Sequence, residues 1–418
     1  MTEADTTSEM LRRAQGEAAP RPASGIRRVD PLLLGAILLL VAVGMVFVYS
    51  ASAVRQQAAV GDEFHHLKRQ LLAAGLGFGL LVVAVGIGTE RIARLAYPVM
   101  AVTLVLLGLV LVVGKTAGGA QRWIPLGPLQ LQPAEVAKVA LVLYLARSLA
   151  RKRDKVRLFS IGLLPHVIVT GIVAALCLWQ RDLGTGVLLF AVLLAMLFVA
   201  GARVVYLLGA LAAAIPVLYH FVQVEDYRWK RIMAFLDPAA YKDQKYGQQL
   251  WESLVVISRG GWFGQGLGLG RTRFYHLPAA DNDFIASAIG EQIGWLGLSL
   301  VILLYAVLVW RGLTATRRAS DAFGCYAAVG MTTLIGGQAL VHLGVVMALL
   351  PTKGLTLPFV SYGGSSLLTM LAGAGVLLAV SSERGGFLSR APGAVRVPGE
   401  RPARGAPRLR SPGAEEST

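Results

Sequence analysis

Residues 32–52 read Leu-Leu-Leu-Gly-Ala-Ile-Leu-Leu-Leu-Val-Ala-Val-Gly-Met-Val-Phe-Val-Tyr-Ser-Ala-Ser, without a single charge. A helix needs roughly 20 mostly apolar residues to cross the hydrocarbon of a bilayer. A helix is also one of the few structures that satisfies its own backbone N–H and C=O groups there. The stretch therefore predicts a membrane-spanning helix. Outward from it the pattern recurs at residues 71–88, 92–113, 133–150, 159–179, 183–201, 204–223, 284–310, 322–350 and 361–381. About ten spans predict an all-α polytopic membrane protein, with one long loop, residues 224–283, between the seventh and eighth.

The composition agrees. Of 418 residues, 55% are hydrophobic and 15% charged, whereas soluble domains carry about 25% charged residues. The 48 glycines suit helices that approach one another through small residues. The formal charge of +16 does not point to nucleic acid, because the basic residues fall in the tails and short linkers and form no single folded basic surface. Cys177 and Cys325 lie inside apolar runs and read as small core residues, with no disulfide framework or metal-ligand spacing.

Orientation follows from the excess of Lys and Arg in short cytoplasmic segments. Residues 1–30 hold Arg12, Arg13, Arg21, Arg27 and Arg28, and read as a disordered cytoplasmic tail before a retained first helix. The linker after the fourth span holds Arg151, Lys152, Arg153, Lys155 and Arg157; the one after the eighth holds Arg311, Arg317 and Arg318. Residues 382–418, rich in Pro, Gly and Arg, read as a second disordered cytoplasmic tail. Ten spans place all of these on one side, so the loop 224–283 faces outward from a membrane domain spanning 31–381.

Five polar clusters interrupt the apolar background. The first runs from Gly119 to Pro128 and on through Gln132-Pro-Ala-Glu135-Val-Ala-Lys138. Pro133 suits a first helical turn, and Glu135 and Lys138 share a helix face. Ionisable groups at a span are costly unless paired or hydrated, so the two form either a structural ion pair or part of a substrate path. The second, Arg181-Asp182-Leu-Gly-Thr185, predicts a helix cap at Asp182. The third, Tyr227–Pro238, is basic and amphipathic with Trp229. It fits a helix at the headgroup level, or one whose Arg residues hold a diphosphate. The fourth, Gly260–Gly270, lacks the spacing of nucleotide-binding loops and predicts close backbone approach; it leads to Leu277-Pro-Ala-Ala-Asp-Asn-Asp283-Phe-Ile285. Asp283 is either a helix cap or a base held at the membrane surface. The fifth, Pro351–Ser366, puts Lys353 among glycines and hydroxyls, Ser361 and Ser365 included. Irregular backbone at membrane depth is tolerated where it lines a wet cavity, which favours a site. A lone ammonium there wants an anion, and Lys353 is expected to share a cavity with Asp283.

In this order, Gln121-Arg-Trp123, Gln132-Pro-Ala-Glu135, Asp182-Leu-Gly-Thr185, Gly261–Gly268, Leu277-Pro278 with Asp283-Phe-Ile285, and Pro358–Ser366 resemble the SEDS family, the membrane proteins of shape, elongation, division and sporulation. The resemblance covers residues 30 to 385, and Pro-Thr-Lys-Gly at 351–354 is similar to its division branch. It implies a ten-helix peptidoglycan glycosyltransferase that polymerises lipid II outside the bacterial cytoplasmic (inner) membrane. Its implied partners are a class B penicillin-binding protein, which cross-links the product, and other membrane proteins of the division complex. The family's catalytic aspartate maps onto Asp283. Arg122, Arg231 and Lys353, with Ser361 and Ser365, are then the expected substrate-binding residues; no protein-held metal site is expected, although Mg or Mn could assist with the diphosphate.

The chain departs from the family where Leu-Pro-Glu-Ala-His-Thr-Asp is usual: Ala279 replaces the acid and Asp281 adds one. Arg181 stands where proline is common, Ala134 where serine is and His342 where asparagine is. Asp281 is a candidate to share the missing acid's work. Three rival functions remain at this level: the same activity in elongation, a flippase for the lipid precursor using residues such as Glu135, Lys138 and Glu291, and a non-catalytic scaffold of the division machinery.

Overall fold

A computed structural model describes residues 29–117, 120–127, 129–270 and 281–383. The greater part of both predicted tails, Ala279, and the Leu277-Pro278 pair lie outside the described residues.

Helix α1, Pro31–Val60, starts where Asp30 accepts from the N–H groups of Leu32 and Leu33 and ends at Gly61, whose φ is +75°. Two predicted spans, 71–88 and 92–113, lie in one long α2, His65–Val113, which breaks at Gly88 (φ +74°). There follow α3 (Pro133–Arg151), a π turn (Phe159–Leu163) running into α4 (Leu164–Trp179), α5 (Leu183–Val199) and α6 (Val204–Gln223). The bundle closes with α9 (Ile285–Arg318), α10 (Ala322–Val346) and α11 (Gly364–Ser381). Among the described residues seven helices are long and apolar enough to cross a membrane, which makes this a multi-pass membrane protein. The predicted spans at 133–150 and 183–201 coincide with α3 and α5.

Helices α10 and α11 are the most enclosed and α6 the least. The close packing of α2 on α11 depends on missing side chains: a β carbon at Gly375 would lie 2.7 Å from Leu81 Cα. At the end carrying the basic linkers, Asp30 is ion-paired with Arg311 and Arg318, and Glu383 accepts from Ser320 and Thr89.

The other end departs from expectation twice. The described part of the long loop carries α7 (Asp226–Leu236), where the basic amphipathic cluster predicts a helix, and also α8 (Lys245–Gly260), which the sequence does not announce. Between α2 and α3 the chain forms a three-stranded antiparallel sheet, β1 (Lys115–Ala117), β2 (Ala120–Leu126) and β3 (Leu129–Leu131). The β2–β3 turn uses Gly127 at φ +62°, a conformation that glycine adopts without penalty.

The glycine-rich cluster behaves as its spacing predicts. Helix α9 breaks at Gly294 (φ +68°), and the exposed ladder is stitched to the turn after α8. Gln265 and Gly266 donate to the carbonyls of Glu291 and Gln292, and Trp295 and Leu296 donate to those of Gly261 and Trp262. A β carbon at Gly294 would sit 2.4 Å from Trp262 O. The break leaves a short first half of α9, directly after Asp283.

Candidate active site

Asp283 lies one residue before Phe284, the N-cap position of α9, and that helix has no side-chain cap. The capping reading of Asp283 is therefore set aside. Among the described residues its carboxyl makes no hydrogen bond or ion pair. It stands on the wall of a cavity of about 540 Å³, within the size range of ligand sites.

Four separate parts of the chain bring cations to that wall. Arg122 on β2 is held by Nε donating to Gln180 O at 2.7 Å and a terminal nitrogen donating to Arg181 O at 2.9 Å. Those carbonyls end α4, where Asp182 N bonds back to Cys177 O and Arg181 N to Leu178 O. This closing turn usually takes glycine, yet Arg181 adopts it at φ +59° and lines the cavity. Helix α7 contributes Arg228, whose guanidinium donates to Phe221 O at 2.7 Å, and Arg231, which reaches Thr352 O at 3.4 Å. Lys353 comes from the irregular segment before α11. Its neighbour Gly354 abuts the aspartate, since a β carbon there would lie 3.2 Å from Asp283 Oδ2. Five cationic side chains thus face two carboxylates, Asp283 and Asp182, with Leu218 and Val222 of α6 as an apolar wall.

Burial pushes the Asp283 carboxyl up to about 6; Arg231 and Arg122 oppose the rise, and Asp281 and Asp182 add to it. Burial also lowers the Lys353 ammonium, and Asp182 works against that shift. Burial alone would raise Asp281, but His66 and Arg55 outweigh it and hold that carboxyl below its usual value.

The structure thus gathers Asp283, Arg122, Arg231 and Lys353, four of the predicted site residues, and separates the others. Ser361 Oγ donates to Asn282 O and accepts from Leu357 N, while Ser365 Oγ bridges Gln132 N and Gln130 O. Neither lines the cavity; in this structure both satisfy buried backbone. Asp182 caps α5 by accepting from Thr185 N at 3.0 Å and from its hydroxyl at 2.8 Å. Glu135 and Lys138 pair at 2.8 Å with Lys138 wholly buried, and Lys138 also donates to Gln338; they lie off the cavity, as a structural pair would. Asp281 faces Arg55 and His66 instead of the cavity. Arg181 was missed as a cavity residue, and Arg228 was covered only by the general reading of its cluster's arginines; the signal was their sharing a membrane face with Lys353.

Fold and site together define a polytopic membrane protein with an acid, unpaired among the described residues, in a cation-lined cavity beside its α7–α8 elaboration. The chain belongs to the FtsW/RodA/SpoVE family, described as cell cycle proteins, which matches residues 31–385. It is 42% identical to the probable peptidoglycan glycosyltransferase FtsW of Geobacter metallireducens, covering 86% of this chain and 96% of that one. To the stage V sporulation protein E of Bacillus subtilis it is 37% identical over 84% and 96%. Among solved structures, a chain of a peptidoglycan synthase complex that coordinates polymerization and crosslinking superposes with a TM-score of 0.68 at 32% identity, covering 84% and 97%. The rod shape determining protein RodA of Thermus thermophilus gives 0.63 at 31%, covering 85% and 97%.

Proposed function

We propose that this protein is a peptidoglycan glycosyltransferase of the division type, polymerising lipid II into β-1,4 glycan at the outer face of the bacterial cytoplasmic membrane. The observation that carries the proposal is Asp283, a carboxylate with an affinity for protons raised to about 6, facing a cavity rich in cations. Asp283 takes the proton from the 4-hydroxyl of the acceptor sugar as that oxygen attacks C1 of the donor. The bond from C1 to the diphosphate oxygen breaks, and the polyprenyl diphosphate leaves with the electron pair. Attack opposite the leaving group turns its α-linkage into a β-linkage. A positioned base contributes typically ~10²–10⁴ in rate; Arg122, Arg231 and Lys353 supply charge where the diphosphate develops it.

With five cationic side chains lining the cavity, charge neutralisation of the diphosphate is assigned to the guanidinium and ammonium groups, with Mg or Mn as a candidate assistant bound through the diphosphate itself. The similarity to a chain of a peptidoglycan synthase complex supports a class B penicillin-binding protein as partner, within a larger division complex. The basic linkers at the far end support cytoplasmic termini. The Glu135–Lys138 pair lies off the cavity, which favours the structural reading of that pair over a substrate path.

The test supplies the purified protein, with its class B partner, with fluorescent lipid II in detergent. Polymer that disappears in Asp283→Asn is expected. An Asp283→Asn variant as active as the wild type sinks the catalytic assignment, and no polymer under any condition favours a scaffold.

A further inference from the structure

We propose that Asp281 is a positioning residue: through Arg55 and His66 it latches the segment carrying Asp283 to the first two helices. The inference rests on the catalytic reading of Asp283 but addresses a different side chain and a different side of that segment.

Asp281 is 6% exposed, and both of its carboxylate oxygens are used. One lies 2.5 Å from a terminal nitrogen of Arg55, near the end of α1; the other lies 3.0 Å from Nδ1 of His66, in the first turn of α2. The His66 ring stacks on Tyr362, with centroids 3.9 Å apart and planes within 9°. Tyr362 N in turn donates to Asp281 O at 2.8 Å. Ser361 Oγ donates to Asn282 O at 2.7 Å, and Gln70 on α2 fixes the same stretch by bonding Ser361 O and Gly363 N. Three elements thus converge on residues 281 and 282, while the next side chain, Asp283, is left without a partner among the described residues. Such an arrangement suits a base: its support is taken up by the neighbours, and its own lone pairs stay free for a substrate hydroxyl.

Asp281 also acts across space. The charged groups around Asp283 among the described residues are Arg228 and Arg231 from α7, Arg122 from β2, Arg181 and Asp182 at the α4–α5 turn, Lys353 from the segment before α11, and Asp281 in its own turn. Asp281 and Asp182 make Asp283 harder to ionise, and Arg231 and Arg122 make it easier. Arg55 carries the charge opposite to that of Asp281, so its removal is expected to act on Asp283 in the opposite sense while breaking the same latch.

The experiment uses the full-length chain with its class B partner and the variants Asp281→Asn, Arg55→Met and the double substitution. Lipid II polymerisation is measured across pH, together with amide hydrogen exchange of residues 281–293. Each single change is expected to lower kcat about ten- to a hundred-fold, the cost of misplacing a catalytic group by about 1 Å, with KM for lipid II within about twofold. The double variant should be no worse than the poorer single, as expected of one coupled unit. The acid limb of the rate profile should move down in pH for Asp281→Asn and up for Arg55→Met, and exchange should quicken in both. Opposite limb shifts with equal rate losses are a signature that general loosening does not give. Wild-type rates and exchange in a folded Asp281→Asn overturn the proposal, as do limb shifts of the same sign. If Asp281→Asn does not fold, His66→Gln keeps the Arg55 ion pair and should show the rate and exchange effects at smaller amplitude; its wild-type behaviour would overturn the latch. If the wild type makes no polymer yet exchange quickens in the variants, the catalytic reading has failed and the latch stands.

Discussion

Replacing Asp283 by asparagine should make the protein less active and more stable at once. The side chain keeps its shape and loses its charge. In the folded protein the carboxyl titrates at about 6, against an ordinary value of 3.8. A raised folded value means that the proton is bound more tightly by the native state. Stability from this group is therefore fully present below about pH 4 and is lost as pH rises through about 6. At about 1.4 kcal/mol per unit, the ionised form costs the fold at most ~3 kcal/mol at neutral pH. The carboxyl stands on a cavity wall and is part-solvated, which trims the cost to about 1–3 kcal/mol. The asparagine variant escapes that cost, so its melting temperature in detergent should exceed the wild type's at pH 7.5 and converge on it near pH 4. Polymer formation should fall ~10²–10⁴-fold, and the wild-type rate should itself decline below a midpoint near 6 as Asp283 takes up a proton. Gel analysis of glycan products and a thermal unfolding series check both halves. A variant that polymerises normally, or one that is less stable than the wild type at pH 7.5, would refute the reasoning.

Lys353→Met should weaken the apparent affinity for lipid II about ten- to a hundred-fold, the scale of a charge-assisted hydrogen bond, with membrane insertion intact; an unchanged substrate titration would assign Lys353 to the headgroups instead. Glu135→Gln strands a fully buried ammonium and should cost ~3–5 kcal/mol, while adding Lys138→Met should recover much of it; thermal melts of the single and double variants decide. Topology is checked by cysteine labelling of intact cells, because both native cysteines are buried. Gln248→Cys should react with an impermeant reagent and Lys155→Cys should not. Gly247 is unsuited as a reporter, since a β carbon there would meet Tyr241 O at 2.1 Å.

Much of this architecture was legible because lipid leaves the backbone few options. Long uncharged runs must be helices, and the basic linkers sort the two ends. The meeting of Asp283 and Lys353 was legible too, from chemistry: both stand at the outer ends of spans, and a lone ammonium there needs an anion. The breaks at Gly88 and Gly294 were not legible, because a glycine inside an apolar run equally serves helix packing. The sheet at 115–131 escaped notice since two of its strands have only three residues, too short for alternation to register, and the seven of β2 include Pro125. The backbone contacts of Ser361 and Ser365 were not legible for a related reason. Hydroxyls beside glycines look like ligands in a sequence, yet an irregular segment buried among helices has backbone groups that only side chains can satisfy.

The interruption at Gly294 turns the start of α9 into a lever. From Ile285 to Gly294 is nine residues, roughly 13 Å at 1.5 Å per residue, and Asp283 stands just beyond the far end, next to the separately held residues 281 and 282. A rotation of about 5° at that pivot sweeps the carboxylate through about 1 Å, the displacement that costs an enzyme about a hundred-fold in rate. The four backbone hydrogen bonds that tie the pivot to the glycine-rich turn therefore set the aim of the reactive group from more than a dozen ångströms away. Substitutions at Gly264 or Gly294, neither of which lines the cavity, are predicted to act as losses of aim, with substrate affinity kept and turnover gone.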